Sequence, residues 1–462
     1  MDCLNDDTLI LILKHLPLHK RLSTELVCSR WLHLMPYNDI RSFGLTDLAW
    51  PHRHINEFTY TLNNLTYTQR VMANKRFVRY FEFLLIRFGI YLRRLKFSVS
   101  PTFRVLVTQE LVSLIIDYAP RLQQLSLAGC VVHMSAVQMF QDLPYVHHLD
   151  VASCHFLDEH TNQPPNDYTP LAESLQHLVN NGGRMHKLNI GQLPVLPLIR
   201  SDQLESINLN NISVLDNLAL TQLVTNCVHL EALCVSDCRL LTDLGVVARL
   251  HALRMLSVNG TRITNANLKS IAHNCPHLEY LRIDSCNQLT EFACLKALKR
   301  LSVLWIGPAE SFGDGELARI GRHGRLTNVA LSGCRISDNG IRYLASHCIA
   351  FLVRDCAKLR FLNIQSTNIT NEALAHIGRT NSLQSCFMQN CRHVDEHGFN
   401  ALFHERALKL HSGSEPRPPA MLVMAGGEMG QPISDTIVGH LANVDVRVEV
   451  QRPLLALGFQ PN

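Results

Sequence analysis

The residues of this chain best suited to chemistry are its 24 histidines and 15 cysteines. One histidine pair has metal-ligand spacing. His393-Val394-Asp395-Glu396-His397 fits H-x-x-E-H, a pattern in which two imidazoles and a carboxylate on one helix hold zinc and activate water. Its neighbours point elsewhere. Cys391-Arg392-His393-Val394-Asp395 occupies the place that Cys334-Arg335-Ile336-Ser337-Asp338 occupies two strand phrases earlier, so a turn and a helix cap are predicted there. The cysteines form no CxxC pair and suit buried structural thiols better than a disulfide framework. His229, His273 and His277 fall near predicted helix ends, where an imidazole interacts favourably with the helix dipole. Gly426-Gly427 with Gly430 lacks the strand-turn-helix setting of a phosphate loop. No Ser/His/Asp or Cys/His set stands out, so the expectation is a non-catalytic protein with no cofactor and no metal.

Composition narrows the partners. Hydrophobic residues make up 47% and charged residues 18% of 462, the balance of a folded chain rather than a disordered one. A net charge of +4 gives no electrostatic case for nucleic acid or an anionic membrane. The most apolar stretch, Phe81 to Leu92, is too short to span a bilayer and contains Glu82 and Arg87. The acidic N-terminus has no secretory n-region, and the last residues carry no prenylation motif. The sequons at Asn64, Asn211 and Asn368 are read as chance matches. A cytoplasmic or nuclear location is expected.

Self-similarity supplies the architecture. The phrase xLxxLxLxxC is clearest at Leu122-Leu125-Leu127-Cys130, Leu230-Leu233-Val235-Cys238, Leu278-Leu281-Ile283-Cys286 and Leu326-Val329-Leu331-Cys334. Looser copies begin at Leu92, Val146, Met185, Leu204, Leu253, Leu298, Leu359 and Leu383. The mean period is roughly 26 residues, inside the leucine-rich range. A second signature follows the phrase: Leu241-Thr242-Asp243, Ile263-Thr264-Asn265, Ile336-Ser337-Asp338 and Ile369-Thr370-Asn371. Its polar residues can cap a helix, and helical periodicity comes next. Each unit therefore reads as strand, turn and helix. Stacking would put the Leu positions and the Cys into one core, with Thr261 and Thr367 offering a hydroxyl where Cys is replaced. The predicted fold class is α/β, a right-handed leucine-rich-repeat solenoid (horseshoe) with a parallel concave sheet and outer helices. Irregularities are expected at 156–183, where 161–167 should project as a loop, at 349–356, and at the break 412–419. Alternating Val444, Val446, Val448 and Val450 read as a final strand.

Residues 4–34 do not follow the repeat. Leu4, Leu9, Ile12, Leu13 and Leu16 recur at helical spacing and Pro17 stops that helix. Leu22, Leu26 and Val27 mark a second short helix, Trp31 and Leu34 a third. About 40 residues make too small a core alone, so the apolar surface suits a partner. This segment resembles the F-box family: Leu4-Asn5-Asp6-Asp7 stands for its opening Leu-Pro-x-Glu, Leu16-Pro17 for its internal Leu-Pro, and Val27-Cys28-Ser29-Arg30-Trp31 for its closing Val-Cys-x-x-Trp. Asn5 and Asp7 depart from the pattern, though Asn5 can still cap the helix. The repeats resemble the cysteine-containing subclass found in F-box/leucine-rich-repeat proteins.

That resemblance implies a division of labour. Residues 1–40 would be an F-box that docks a Skp-type adaptor through Leu4, Leu9, Ile12, Leu16, Pro17, Val27 and Trp31, and through it a cullin and a RING subunit of an SCF ubiquitin ligase. Residues 41–91 would be a helical linker, with 41–48 packing on the first repeat and 74–91 helical. Residues 92–410 would be the repeats that bind a protein substrate, and 411–462 a degenerate last repeat. Side chains between the buried leucines should face outward on the strands. Early repeats offer Gln124, Ser126, His148, Asp150, Asn208 and Asn210, then Ser257; later ones offer Met255, Tyr280, Arg282, Arg300, Leu304, Phe361 and Phe387. Aromatics and arginines anchor interfaces, so the later group is the candidate substrate site. A scaffold or inhibitor without ubiquitin transfer is the alternative, and a small ligand on the concave face is a further one.

Overall fold

The computed structural model describes residues 6–16, 20–21, 42–44, 56–62, 65–72, 75–97, 103–161, 163–181, 184–322, 325–347, 359–380, 382–411, 421–426 and 446–451. The chain divides into two compact units, 1–215 with 225–230 and 216–224 with 231–462. Both are built from the same repeat.

In the first unit, β1 (Ser42–Gly44), β4 (Arg94–Lys96), β6 (Gln124–Ser126), β8 (His148–Asp150), β10 (Lys187–Asn189) and β11 (Ser206–Asn208) pair in that order, all parallel. The central residue of each three-residue strand from β4 onward, Leu95, Leu125, Leu149, Leu188 and Ile207, is buried. β1 sets 42–44 against the first repeat, as expected. A second sheet runs β2 (Asn56–Leu62), β3 (Leu65–Met72), β5 (Phe103–Val107), β7 (Val131–His133) and β9 (His155–Leu157). It opens with an antiparallel hairpin, so 56–62 and 65–72 are strands and the expectation of a helical linker over 41–91 holds only for its last part, and it continues parallel. The early repeats therefore carry a strand where the sequence suggested only a turn.

Helix α1 (Asp6–Lys14) buries Leu9 and Leu13, one turn apart. Its end is satisfied from outside the helix: Arg21 donates from Nε to the Leu16 carbonyl at 2.8 Å and from Nη2 to the Lys14 carbonyl. Helix α2 (Lys75–Phe88) and the 3-10 turn Gly89–Tyr91 fulfil the helical expectation for 74–91. They bury Phe81, Leu84, Leu85 and Phe88, with the Phe81 and Phe97 rings 5.3 Å apart. Then follow α3 (Gln109–Tyr118), α4 (Met134–Val137) and α5 (Thr169–Asn181). The predicted loop before α5 is exposed and is folded locally by Asp158, which accepts the His160 and Thr161 amides.

In the second unit β12 (Ala232–Cys234), β13 (Met255–Ser257), β14 (Tyr280–Arg282), β15 (Val303–Trp305), β16 (Asn328–Ala330), β17 (Phe361–Asn363), β18 (Ser385–Phe387), β19 (Met421–Gly426) and β20 (Val446–Gln451) pair parallel in sequence order. β20 is the predicted final strand, whereas β19 was not foreseen. α6 (Asn217–Asn226), α7 (Asn265–Asn274), α8 (Asp314–Gly321), α9 (Asp338–His347), α10 (Asn371–Gly378) and α11 (Glu396–His411) supply the helical segments. In the shorter repeats beginning at Leu230 and Leu278, 3-10 turns at Gly245–Arg249 and Ala293–Ala297 take their place. Among the described residues no helix is long and apolar enough to cross a membrane.

Two hydrogen-bond ladders, each within a unit, hold neighbouring repeats. Just before the Cys position each turn places a residue at positive φ: Gly129, Ser153, Asp237, Gly260, Ser285, Gly333, Ser366 and Asn390 among them. Its amide reaches the next repeat, as Gly260 N to Asp284 O at 3.0 Å and Ser285 N to Gly307 O at 2.7 Å. The Cys then points inward. Cys286 Sγ donates to the Val258 carbonyl at 3.3 Å, Cys391 Sγ to Ile364 at 3.2 Å and Cys154 Sγ to Leu127 at 3.0 Å. Thr261 and Thr367, at the Cys position, instead donate by hydroxyl within their own turn, to Val258 at 2.6 Å and Ile364 at 2.7 Å, the carbonyls that Cys286 and Cys391 of the next repeats also meet. The described cysteines are free thiols.

The second ladder explains the Thr-Asn and Ser-Asp signature. The hydroxyl caps its own helix: Thr264 Oγ1 accepts the Asn267 amide, and Thr370 Oγ1 accepts the Glu372 amide. The following Asn or Asp caps the neighbour. Asn265 Oδ1 accepts the Thr290 amide at 2.9 Å and the Glu291 amide at 3.2 Å. Asp338 serves Thr370, and Asn371 serves Asp395, in the same way.

Candidate protein-binding face

Each three-residue strand of β12–β18 buries its centre and leaves its two flanking residues on one face, except that Ser257 at the end of β13 is also buried. The parallel register then decides which side chains meet. Tyr280, Val303, Asn328, Phe361 and Ser385 form one row; Arg282, Trp305, Ala330, Asn363 and Phe387 form the next. The Arg282 guanidinium stands 4.8 Å over the Trp305 ring and is fixed by Asp284, with Nε donating to Oδ1 at 2.7 Å and Nη2 to Oδ2 at 3.3 Å. That bond raises the guanidinium pKa further. Trp305 stacks on Phe361, 6.3 Å between centroids and 15° between planes, across the small Ala330. Phe361 meets Phe387 at 5.2 Å. The result is a half-buried cation and aromatic path over five strands. The indole N–H of Trp305 is shielded from solvent and meets no acceptor among the described residues. Tyr280 borders the path, its hydroxyl pushed up by burial.

Polar residues line the strand exits. Ser332 Oγ donates to Asn363 Oδ1 at 3.0 Å, and the Gln365 side-chain amide donates to Gln389 Oε1. Earlier, Ser257 is buried, sharing a 2.9 Å bond with Ser236 and donating to Asn259 at 3.2 Å, so it is not on offer as expected. In the first unit Asp150 accepts Ser126 Oγ at 3.0 Å, and Asn208 accepts the Asn210 amide.

Met255, Tyr280, Arg282, Phe361 and Phe387 lie half-buried on the face, where sequence put them. Leu304 does not. It is 0% exposed and is the central core leucine of β15, while Arg300 lies exposed on the turn before that strand. The correction is a slip of three residues. Leu298 and Leu301 both fit the start of the phrase, but Leu298 closes the 3-10 turn Ala293–Ala297, the place Cys275 has after α7. Leu301, Leu304 and Ile306 are the buried set. Trp305, hidden by the slip, is the face residue that sequence reading missed; the pairing of Trp305 with Arg282 reveals it.

At the other end, Leu9 is 2% exposed and is part of the core, not an open contact residue. Ile12 is 47% exposed, joined by Leu11 at 61%; Leu16 is half-buried. Leu4, Asn5, Pro17, Val27 and Trp31 lie outside the described residues, as do 349–356 and 412–419. His393 and Asp395 form the predicted turn. Asp395 Oδ1 accepts the His397 amide at 2.8 Å, and His397 lies in the first turn of α11. Desolvation works to raise the Asp395 carboxyl, yet hydrogen bonds from Asn371, His397 and Gly398 hold it below its ordinary value.

This geometry defines a leucine-rich-repeat fold. A family model described as Leucine Rich repeat matches residues 326–345, the segment from Leu326 of the β16 phrase into α9. Among solved structures, the Rad7 and Elc1 complex of yeast is similar over 77% of this chain and 81% of that chain, with TM-score 0.51 and 13% identity. An internalin, InlF, from Listeria monocytogenes is similar over 75% of this chain and 83% of that chain, with TM-score 0.44 and 19% identity. At such identities the likeness is one of fold. No curated protein matches the chain in sequence.

Proposed function

We propose that this chain is the substrate-recognition subunit of an SCF-type ubiquitin ligase, working in the cytoplasm or nucleus. The observation that carries the reading is order: a segment with the F-box spacing of Leu4, Leu16-Pro17 and Val27-Cys28-x-x-Trp31 precedes a leucine-rich array. Residues 1–40 dock a Skp-type adaptor, 41–91 join it to the array, 92–410 hold the protein substrate, and 411–462 close the end. Leu11 and Ile12, open on α1, suit helix-in-groove docking. The yeast neighbour Rad7 is itself seen in complex with a second protein, Elc1. The chain brings no catalytic group; it contributes proximity, which alone lowers a barrier substantially. Substrate is held on the path from Arg282 to Phe387.

The test is capture from cells under proteasome inhibition. Wild-type chain should bring down adaptor, cullin, RING subunit and substrates. Replacing Tyr280, Trp305, Phe361 and Phe387 together by alanine should remove the substrates and leave the ligase subunits. Adaptor without cullin or RING would favour the scaffold reading, and unchanged substrate capture would sink the assigned face.

A further inference from the structure

The aromatic path has a charged border on one side. At the entry end of the strands of the second unit, charges are balanced up to β14: Arg254 pairs with Glu231 at 3.4 Å and with Glu279 at 3.3 Å. Beyond β14 the balance fails. Arg300 and Arg325 each stand three residues ahead of register partners, Val303 and Asn328, and so occupy the same level of adjacent repeats. Arg360 enters β17 directly beside Phe361, its amide bonded to the Thr327 carbonyl. All three side chains are exposed, and none has an ion-pair partner among the described residues. Among the described residues that lead into β15, β16 and β17 there is no carboxylate. Adjacent strands are about 4.8 Å apart, so like charges are held close with nothing in the described structure to neutralise them. On the path itself, by contrast, Arg282 is already matched by Asp284.

We infer that this face takes an acidic peptide segment, its Asp or Glu side chains on Arg300, Arg325 and Arg360 and an apolar side chain on Trp305, Phe361 and Phe387. The juxtaposition supports it from two sides. Unpaired guanidiniums bind carboxylates in fork geometry, and the neighbouring rings supply the desolvated anchor that a rim of charge lacks. The charge sets the on-rate and orientation, and the aromatic path sets the lifetime. This inference rests on the receptor reading above and names the substrate chemistry: an acidic stretch interrupted by an aromatic or aliphatic residue.

The experiment is selection of a random peptide library, displayed on phage, against the full-length chain. Displayed peptides are unphosphorylated, so enrichment reports carboxylates. Selected peptides should combine Asp or Glu with an aromatic or aliphatic residue and bind less well at high salt. Their affinity should fall at least about tenfold for Arg300→Glu with Arg325→Glu, and similarly for Trp305→Ala. Arg300→Lys with Arg325→Lys, which keeps the charge, should retain most of the binding. Selection of neutral or basic peptides, selection of none, or acidic peptides that bind these variants undiminished would each overturn the inference. Adaptor binding, measured on the same variants, should not change; its loss in wild type would instead count against the receptor reading.

Discussion

The cysteines that close the described turns, such as Cys286 and Cys334, act as small buried donors. Burial raises the thiol of Cys286 to about 11 and that of Cys334 to about 12, far from the thiolate needed for nucleophilic chemistry. Both should resist alkylation in the native state at neutral pH, read by mass spectrometry; rapid labelling would contradict the packing. Cys286→Ser should cost little, within about 1.5 kcal/mol, because a hydroxyl already meets the same carbonyl from Thr261. Cys286→Leu should cost more, about 1–3 kcal/mol from overpacking. Histidine makes a second prediction. Burial, and then Arg104, lower His155 from the ordinary 6.5 to about 4. His133, His147 and His148 are lowered too, in each case mainly by burial. Between the folded and unfolded values the unfolded chain binds more protons, so stability falls as pH drops from above 6.5 towards 4. Thermal melts should show a lower Tm at pH 5 than at pH 7, with a smaller difference in His155→Gln.

At the scale of elements, the strands of β15 give the sharpest check. Leu304→Ala removes a core side chain and should destabilise by about 2–5 kcal/mol. Trp305→Phe should leave Tm unchanged or raise it, since it keeps the ring stack and removes a shielded donor without an acceptor. Equal effects at the two positions would restore the discarded register. The repeat was legible because its leucines, cysteines and capping residues recur at a period set by stacking. Three things were not legible. Leu298, Leu301 and Leu304 are equally spaced, so only the strand pairing could choose among them. β2 alternates Phe58, Tyr60 and Leu62 with Glu57, Thr59 and Thr61, and β3 alternates Leu65 and Tyr67 with Thr66 and Thr68, a strand pattern with no leucine phrase in it. The capping signature does not say which helix or turn each residue serves, and the Asn and Asp that follow each cap serve the next repeat, a contact that no local pattern encodes.

For the molecule as a whole, the repeats give a protein-binding fold and the N-terminal segment gives the account its function. Stability should behave accordingly: neighbouring repeats are bonded chiefly to one another, so damage such as Asn265→Ala, which removes the bonds to Thr290 and Glu291, should loosen hydrogen-exchange protection nearby before it does so elsewhere in the array. Adaptor docking is the claim on which the rest depends. The most direct measurement is the affinity of purified full-length chain for a Skp-type adaptor by calorimetry, beside Leu11→Asp with Ile12→Asp, two exposed positions whose change leaves the core intact. A stoichiometric complex that the double variant weakens at least about a hundredfold is the expected result. Absence of binding by the wild-type chain, or equal binding by the variant, would contradict the account.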